Sequence, residues 1–409
     1  MITELFQGSI QMSSFTNKID NMADSETAIR LEVVPVNTNN THVTNSYIFP
    51  YISSNNSEIY NYYLPSEEIS SSENQMHIAL VFHTYFTPIF IIIGAVGNTL
   101  TIFTLHRKNM CNWSISYYVT VYAVGNIFVL FLATGLAWVS SVANIKYVSD
   151  ITDWGCKLWQ FVLRVMTYSG IWLVVAMMID QYIYIWHPFK VGVMCNVFMA
   201  KFATVMIFVG LIVVSVHSMW TFELLPNGCY ILHTPNDLHA LIWPWVAVSF
   251  YSFIPILILT ALIMLNICGL FIKNPCKRSS AQLQLPVDFT LSVLVLAVLF
   301  VLFVTPATII HIIEFTLPVS WLNHADFMQK FQTAKIVCTF LVSLNPVLGF
   351  YILVSLSSKF RLDLRGFTQS CWQEGSCFRR FTQIYEMQVN SNGSSTQLEY
   401  EHCSETTPL

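Results

Sequence analysis

Four ionisable side chains in the outer halves of long apolar stretches of this sequence are candidates for a ligand site. They are Arg164, His311, Glu314 and Lys335. Charge in a lipid-spanning segment is expensive and marks a functional site by default. The cations Arg164 and Lys335 suit a carboxylate or amide group. Two alternatives stay open: a structural ion pair between Arg164 and Glu314, since buried charges are generally paired, or solvation of Glu314 and Lys335 near the surface.

Aromatic side chains accompany these charges. A pocket between helices, lined by aromatic rings and a few convergent polar groups, is the usual form of a ligand site in a helix bundle. Tyr168, at the middle of its stretch, is as consistent with packing as with ligand contact. The predicted ligand-binding residues are Arg164, Tyr168, His311, Glu314, Lys335 and Trp138.

Asparagines and prolines interrupt other apolar stretches. An amide in hydrocarbon needs a hydrogen-bond partner, so Asn98, Asn126 and Asn345 are expected to face the protein interior. A proline within a helix frees a carbonyl and bends the helix. We therefore expect Pro306 and Pro346 to act as pivots.

Several kinds of chemistry lack the residues they need. No cluster of His, Asp and Glu indicates a metal site, and no glycine-rich phosphate loop is present, so we predict no metal, no cofactor and no enzymatic activity. A net charge of −4 and a pI near 6.2 argue against nucleic acid as a partner. A seven-helix ion or proton carrier is a weaker alternative, because apart from Asp180 at one end and Glu314 near the other the membrane core has no carboxylate to relay protons.

The elements that carry these residues are predicted to be membrane helices. Apolar residues make up 54% of the chain and charged residues 10%, against about 25% charged in soluble domains. A bilayer core about 30 Å thick needs roughly 20 apolar residues per helix. We predict an all-α, seven-transmembrane bundle over residues 78–356, with segments near 78–105, 115–143, 158–186, 197–222, 238–272, 286–317 and 331–356.

The chain ends are predicted to lie on opposite sides of the plasma membrane. Lys and Arg concentrate after the first, third, fifth and seventh segments, which places the amino terminus outside and the carboxyl terminus inside. Residues 1–77 are predicted to be a disordered extracellular leader, glycosylated at Asn39 and Asn55. A short amphipathic helix is expected at 357–368 and a disordered cytoplasmic tail at 369–409. There, Cys371 and Cys377 either carry palmitate or remain free thiols.

Several motifs stand at the mutual spacing found in rhodopsin-like G-protein-coupled receptors, which this chain resembles over about residues 78–367. Asp180-Gln181-Tyr182, followed by Pro188-Phe189, resembles the family's Asp-Arg-Tyr stretch and the sequence after it. The positions matched to family residues of activation and coupling are Asn98, Asn126, Ile171, Asp180, Gln181, Tyr182, Pro255, Phe300, Pro306, Asn345 and Pro346. Among them Ile171, Pro255 and Phe300 match the family's packing trio.

The resemblance implies a function and a set of partners. It implies a multi-pass plasma-membrane receptor that couples to a heterotrimeric G protein by a ligand-driven rearrangement of segments 3, 6 and 7. It also implies a disulfide between Cys156, which lies 24 residues before Asp180, and Cys229 in the second exterior loop.

The resemblance also bears on the ligand. Amine receptors of the family carry an Asp where this chain has Leu163, and opsins carry a retinal-bearing Lys where it has Thr339. The approach Asp153-Trp154-Gly155 and the stretch 220–224 resemble invertebrate neuropeptide receptors of the FMRFamide and related orphan branches. An extracellular peptide, or another polar ligand, is therefore implied.

Departures from the family pattern keep one alternative open. Gln181 replaces an Arg and cannot supply its fixed positive charge. Asn126 and Gly170 remove a carboxylate and a hydroxyl, so a bound sodium ion is not expected. Val304 stands in place of a Trp and Gly349 in place of a Tyr. The alternative is a receptor-like protein with weak or no G-protein coupling.

Overall fold

The computed structural model describes residues 47–52, 59–64, 66–107, 110, 113–143, 145–225, 228–231, 245–246, 248–273, 287–316 and 325–373. Within these residues, seven helices are long and apolar enough to cross a membrane, so the seven-helix prediction is confirmed. The helices are α1 (Ser66–Leu105), α2 (Ser114–Ala143), α3 (Asp153–Trp186), α4 (Val197–Thr221), α5 (Ser249–Ile272), α6 (Val287–Thr316) and α7 (Ala325–Leu356), followed by α8 (Ser358–Gln373).

Two of the spanning helices contain a π-helical turn. In α2 it covers Val129–Gly135, between the α-helical segments Ser114–Phe128 and Leu136–Ala143. In α5 it covers Ser249–Phe253 and leads into the α-helix Ile254–Lys273. Such turns hold one residue more per turn and are frequent at functional sites.

Polar side chains define where several helices begin. Thr152 caps α3 by accepting a hydrogen bond from the Gly155 N–H at 3.0 Å. Asn196 caps α4 in the same way, through the Met199 N–H at 2.8 Å. Such caps satisfy N–H groups that the first turn of a helix leaves without a helical partner.

The third helix is the centre of the bundle. It packs against α2, α4, α5 and α6, whereas α7 packs against α1 and α6. Met177 and Met178 of α3 are fully buried, and the main apolar core continues into α6 at Phe289 and Ala297. Arg164 and Asp180, the buried charged residues of α3, are therefore enclosed by neighbouring helices.

Two short hairpins differ from what the sequence predicted. Strands β1 (Tyr47–Ile52) and β2 (Ile59–Leu64) pair antiparallel, and β3 (Phe222–Leu225) pairs with β4 (Gly228–Ile231), where Gly228 has a φ of 136°. The sequence predicted no strand at β1 and β2, which are rich in β-forming Tyr and Ile. The first helix begins at Ser66, within the predicted leader, where acidic residues in the first turn favour helix. The extracellular leader over 1–77 stays a prediction.

At the cytoplasmic end, α8 begins one residue later and ends five residues later than the predicted 357–368. Ser357 caps it through the Phe360 N–H at 3.2 Å. Arg361 donates to the carbonyls of Val354 and Ser355, which closes the last turn of α7. Asn39, Asn55 and Cys377 lie outside the described residues, as does the side chain of Cys371.

Candidate functional site

The outer halves of α3, α6 and α7 bury three of the four predicted ionisable residues. Arg164 is 4% exposed, His311 4% and Lys335 7%. The alternative of a solvated Lys335 is therefore wrong, because packing of α7 against its neighbours encloses this side chain. Glu314 lies on α6 with its side chain outside the described part of the chain, so its pairing with Arg164 stays a prediction.

The hairpin β3–β4 covers the outer end of α3. A disulfide joins Cys156 of α3 to Cys229 of β4. Two N–H groups of the hairpin donate to carboxylates of the opposing loop and helix, Asp150 at 3.1 Å and Asp153 at 3.3 Å. These links hold the Phe222 ring 5.0 Å from the Arg164 guanidinium carbon.

An aromatic pair, buried Tyr147 and partly buried Trp159, supports the same end of α3. The indole N–H of Trp159 donates to the hydroxyl of Tyr147 at 3.1 Å, and the two rings meet edge to face. Burial raises the pKa of Tyr147 to about 12, so its phenol stays protonated at physiological pH. The contact anchors the loop before α3 to the helix.

A cavity of about 60 Å³ lies at the middle of the bundle, one helical turn inside Arg164. None of the described residues that line it is charged. Six predicted residues reach it: Asn126, Tyr168, Ile171, Phe300, Asn345 and Pro346. The cavity has room for a few water molecules or one small chemical group.

Sequence reasoning missed five polar residues of the cavity wall. They are Tyr122, Thr167, Ser169, Tyr251 and Ser252. Tyr251 and Ser252 belong to the π-helical turn of α5, which no periodicity in the sequence reveals. The signal available was their polarity within an apolar stretch. Pro255 and Pro306 lie in α5 and α6 but do not line the cavity.

Tyr168 takes part in both packing and the cavity wall. Its ring stacks on that of Tyr251 with centroids 3.9 Å apart. The Tyr251 hydroxyl shares a 2.9 Å hydrogen bond with Ser215 of α4. Tyr168 therefore connects the ligand side of α3 to α5 and, through Tyr251, to α4.

Trp138 lies elsewhere. Its indole N–H donates to the Thr84 carbonyl of α1 at 2.8 Å, and it does not line the cavity. The structure gives it a role in joining α1 to α2. Its placement among the ligand-binding residues is not supported by this contact.

The asparagines form a network between α1, α2 and α7. The Asn98 amide donates to the carbonyls of Gly94 at 2.7 Å and Pro346 at 2.6 Å. The Asn126 amide donates to the Asn98 side-chain oxygen at 3.3 Å. These two asparagines face the interior, as the sequence predicted. Their hydrogen bonds connect α7, at Pro346, to α1 and α2.

The cytoplasmic end of α3 makes different contacts. Asp180 accepts a 2.6 Å hydrogen bond from Ser114 of α2. Gln181 donates its amide N–H to the Thr290 carbonyl of α6 at 3.0 Å. Tyr182 points away from this pair, with its ring beside those of Trp186 and His187.

The contact between α3 and α5 is closer than that between α3 and α6. Trp186 donates to the Leu265 carbonyl at 3.1 Å, and Asn266 donates to the Met178 carbonyl at 3.1 Å. A Cβ at Gly269 would lie 2.6 Å from a methyl of Ile185 and 2.8 Å from the Trp186 nitrogen. Glycine at this position is what allows the two helices to approach.

The loop between α3 and α4 presents apolar side chains to the cytoplasm. Phe189 is 97% exposed and Val193 76%. Cys195, beside them, donates its thiol to the Asp180 carbonyl at 3.7 Å. Burial, with the nearby Asp180 charge, raises the pKa of the Cys195 thiol and keeps it protonated.

Comparisons with known proteins agree with this architecture. Residues 97–349, more than half of the chain, match the sequence model of the 7 transmembrane receptor (rhodopsin family). Neurotensin receptor type 1 of Homo sapiens is 27% identical over 129 residues, which cover 31% of this chain and 30% of that receptor. The alignment therefore spans less than a third of either protein.

Proposed function

Because the chain belongs to the rhodopsin family of seven-transmembrane receptors, we propose that it is a plasma-membrane receptor for an extracellular peptide. The family is one of receptors rather than enzymes. The seven apolar helices make this chain a multi-pass protein of the plasma membrane. The peptide is supported by the similarity to a receptor named for neurotensin. We propose both the peptide ligand and the steps by which its binding changes the packing of the helices.

Buried cations in the outer half carry the proposal of ligand class. Arg164 and Lys335 sit on α3 and α7, under and beside aromatic rings and not on the surface. A cation in this setting binds a carboxylate or amide oxygen more strongly than it would in water, because solvent no longer screens it. His311 on α6 adds a third buried polar group in the outer half of the bundle. A peptide terminus provides such oxygens.

The cavity transmits the change inward. Tyr168 and Ile171 of α3 and Phe300 of α6 share its wall, so a ligand that moves one of them alters how α3 packs on α6. Pro306, one turn and a half further out on α6, frees a backbone carbonyl and gives the helix a place to bend. A ligand that fits one packing better raises the share of that state by its differential affinity.

The cytoplasmic contacts decide which helix moves. Two side-chain hydrogen bonds and a glycine contact fasten α5 to α3, whereas Gln181 to Thr290 is one neutral bond between α3 and α6. We expect α6 to swing away from α3 while α5 stays with it. The opened cleft and the exposed Phe189 then form the surface for a heterotrimeric G protein.

The test is nucleotide exchange on purified G proteins by the full chain in lipid nanodiscs, screened against a neuropeptide library. A peptide that raises exchange above the basal rate supports the proposal. Peptide binding with no exchange on any G-protein class would show a receptor without G-protein signalling, the alternative that Gln181, Val304 and Gly349 favour. Peptide-independent ion or proton flux through liposomes would show a carrier instead.

A further inference from the structure

The juxtamembrane helix α8 lies beside the helix that we propose to move. It packs against α1, α6 and α7. Phe360, which is fully buried, meets Phe350 of α7 edge to face with the ring centroids 6.1 Å apart. Further along α8, Phe367 stacks on Phe103 of α1 at 5.3 Å. Because α8 is fixed to α1 and α7 at two points, it can serve as a support for α6.

A cation of α8 lies over an aromatic ring at the start of α2. The Lys359 Nζ is 4.1 Å from the centre of the Trp113 ring. A cation within about 6 Å of a ring centroid is attracted by the negative face of the ring, and more strongly where water is excluded. Burial lowers the pKa of Lys359, against the opposing effect of the Asp363 carboxylate, so the ammonium is partly shielded from water.

The same indole reaches α6. The rings of Trp113 and Phe289 have centroids 6.1 Å apart and are tilted by 58°, which is within the range of favourable aromatic pairs. Phe289 is fully buried and directly precedes Thr290, the acceptor of the Gln181 amide. Two neighbouring residues of α6 are therefore held in the closed packing, one by α2 and the other by α3.

The position of Trp113 is not explained by the start of a helix. Trp113 is the N-cap residue of α2 and makes no capping hydrogen bond through its side chain. Ser, Thr, Asp and Asn are preferred at an N-cap because their oxygens accept from the first N–H groups, and an indole has no such oxygen. The contacts of the ring with α8 and α6 give this tryptophan a role that capping does not.

We infer that Lys359 and Trp113 are positioning residues that keep α6 in its closed packing. Lys359, held on α8, orients the indole, and the indole contacts Phe289; we call these three residues the α8–α6 latch. The inference deepens the proposed function and rests on it, because the latch is a contact that the outward swing of α6 has to break. Phe289 leaves the indole in that swing, whereas Lys359 stays with α8.

The experiment measures the opening of α6 through the reactivity of a buried thiol. Ser292→Cys is a one-atom change on α6 at a side chain that is 0% exposed, and it is made in the full chain in lipid nanodiscs. A charged maleimide is added, and peptide mass spectrometry measures the labelling rate at 292. Where closing is faster than labelling, this rate is proportional to the open population. The native thiol of Cys338, buried on α7, reports opening of the rest of the bundle.

The latch predicts a graded set of labelling rates at 292. Trp113→Leu removes the aromatic pair and should raise the rate about two- to twelvefold. Lys359→Met keeps a side chain of similar length without its charge and should raise the rate about two- to fivefold, whereas Lys359→Arg should restore it, because a guanidinium also binds a ring face. Both changes together should match Trp113→Leu alone, since Lys359 acts through the indole. The rate at Cys338 should stay constant.

Arg365→Met is the matched control, because it removes an exposed cation from the same helix. It should leave the rate at 292 unchanged. If Trp113→Leu does not fold, Lys359→Met, at a half-buried position, decides together with this control.

Three results would overturn the inference. An unchanged rate at 292 with Lys359→Met would show that the cation does not hold α6. An equal increase with Arg365→Met would show an effect of the total charge of α8. Increases that multiply in the combined variant would show that Lys359 and Trp113 act separately. No G protein or agonist is present, so a failure of nucleotide exchange would count against the proposed function and not against the latch.

Discussion

The bond between Gln181 and Thr290 makes a quantitative prediction about the resting receptor. Replacing Gln181 by Leu removes the amide that donates to the Thr290 carbonyl at 3.0 Å. Leucine is similar in size to glutamine and fills the same site, in which Gln181 is 3% exposed. The Thr290 carbonyl lies within α6, so it retains its helical acceptor role. The main loss is one hydrogen bond that the closed packing of α3 and α6 has and the open packing lacks.

The size of the effect follows from that bond. A neutral hydrogen bond contributes about 0.5 to 1.5 kcal/mol net, and about 1.4 kcal/mol corresponds to a tenfold change in an equilibrium constant. The share of the open form should rise about two- to twelvefold. The gain falls toward the lower end, because the buried Gln181 oxygen has no described hydrogen-bond partner in the closed state and leucine removes the cost of burying it.

Two measurements check this. Basal nucleotide exchange per receptor should rise by the same factor. Nitroxide labels at residue 193, in the loop that follows α3, and at residue 288 of α6 should report a larger population of long distances between that loop and α6. Asn266→Leu is the matched control, because it removes a 3.1 Å bond between α3 and α5 instead. An unchanged distance distribution with Gln181→Leu, or an equal increase with Asn266→Leu, would refute the reasoning.

Three other variants or conditions test separate parts of the molecule. Arg164→Ala should weaken the potency of an identified peptide agonist about ten- to a hundredfold, since bonds to charged groups contribute roughly 1.5 to 3 kcal/mol; lost surface expression, restored by adding Glu314→Gln, would show a structural ion pair instead. Gly269→Ala should lower the thermal midpoint by several degrees, because overpacking costs about 1 to 3 kcal/mol. Gly210→Ala, whose new Cβ meets nothing within 4 Å, should not. Agonist affinity in millimolar sodium should equal that in the same concentration of a large organic cation, because Asn126 offers no carboxylate to bind the sodium ion. A shift in affinity that only sodium causes would contradict this.

The bundle was predictable because lipid restricts the chain to few choices. A backbone in hydrocarbon must satisfy its own polar groups, so an apolar stretch of sufficient length is a helix. Interior placement of Asn98 and Asn126 followed from the same cost. The hairpin β1–β2 lies outside the apolar stretches, where no such rule applies, so no signal in the sequence indicated its strands.

The remaining site contacts depend on features that a sequence does not encode locally. Gln181 donates to a backbone carbonyl, and every residue has one, so its acceptor on α6 could not be identified in advance. The π-helical turn at Val129–Gly135 changes the helical phase beyond it, so residues counted outward from Asn126 no longer face where a regular helix would place them. Trp138, directly after this turn, faces α1.

The third helix also has a consequence for how the receptor enters the membrane during synthesis. Of the seven spans α3 has the lowest mean hydropathy, and it carries Arg164 and Asp180, whereas α4 is strongly apolar and exposes much of its surface. We expect α3 to remain at the translocon until α4 has partitioned into lipid. The hairpin that follows α4 then reaches the lumen, and the Cys156–Cys229 disulfide can fasten it to α3 before α5, α6 and α7 have been made. The order of the helices along the chain thus provides the least lipid-soluble helix with a covalent anchor before its later partners arrive.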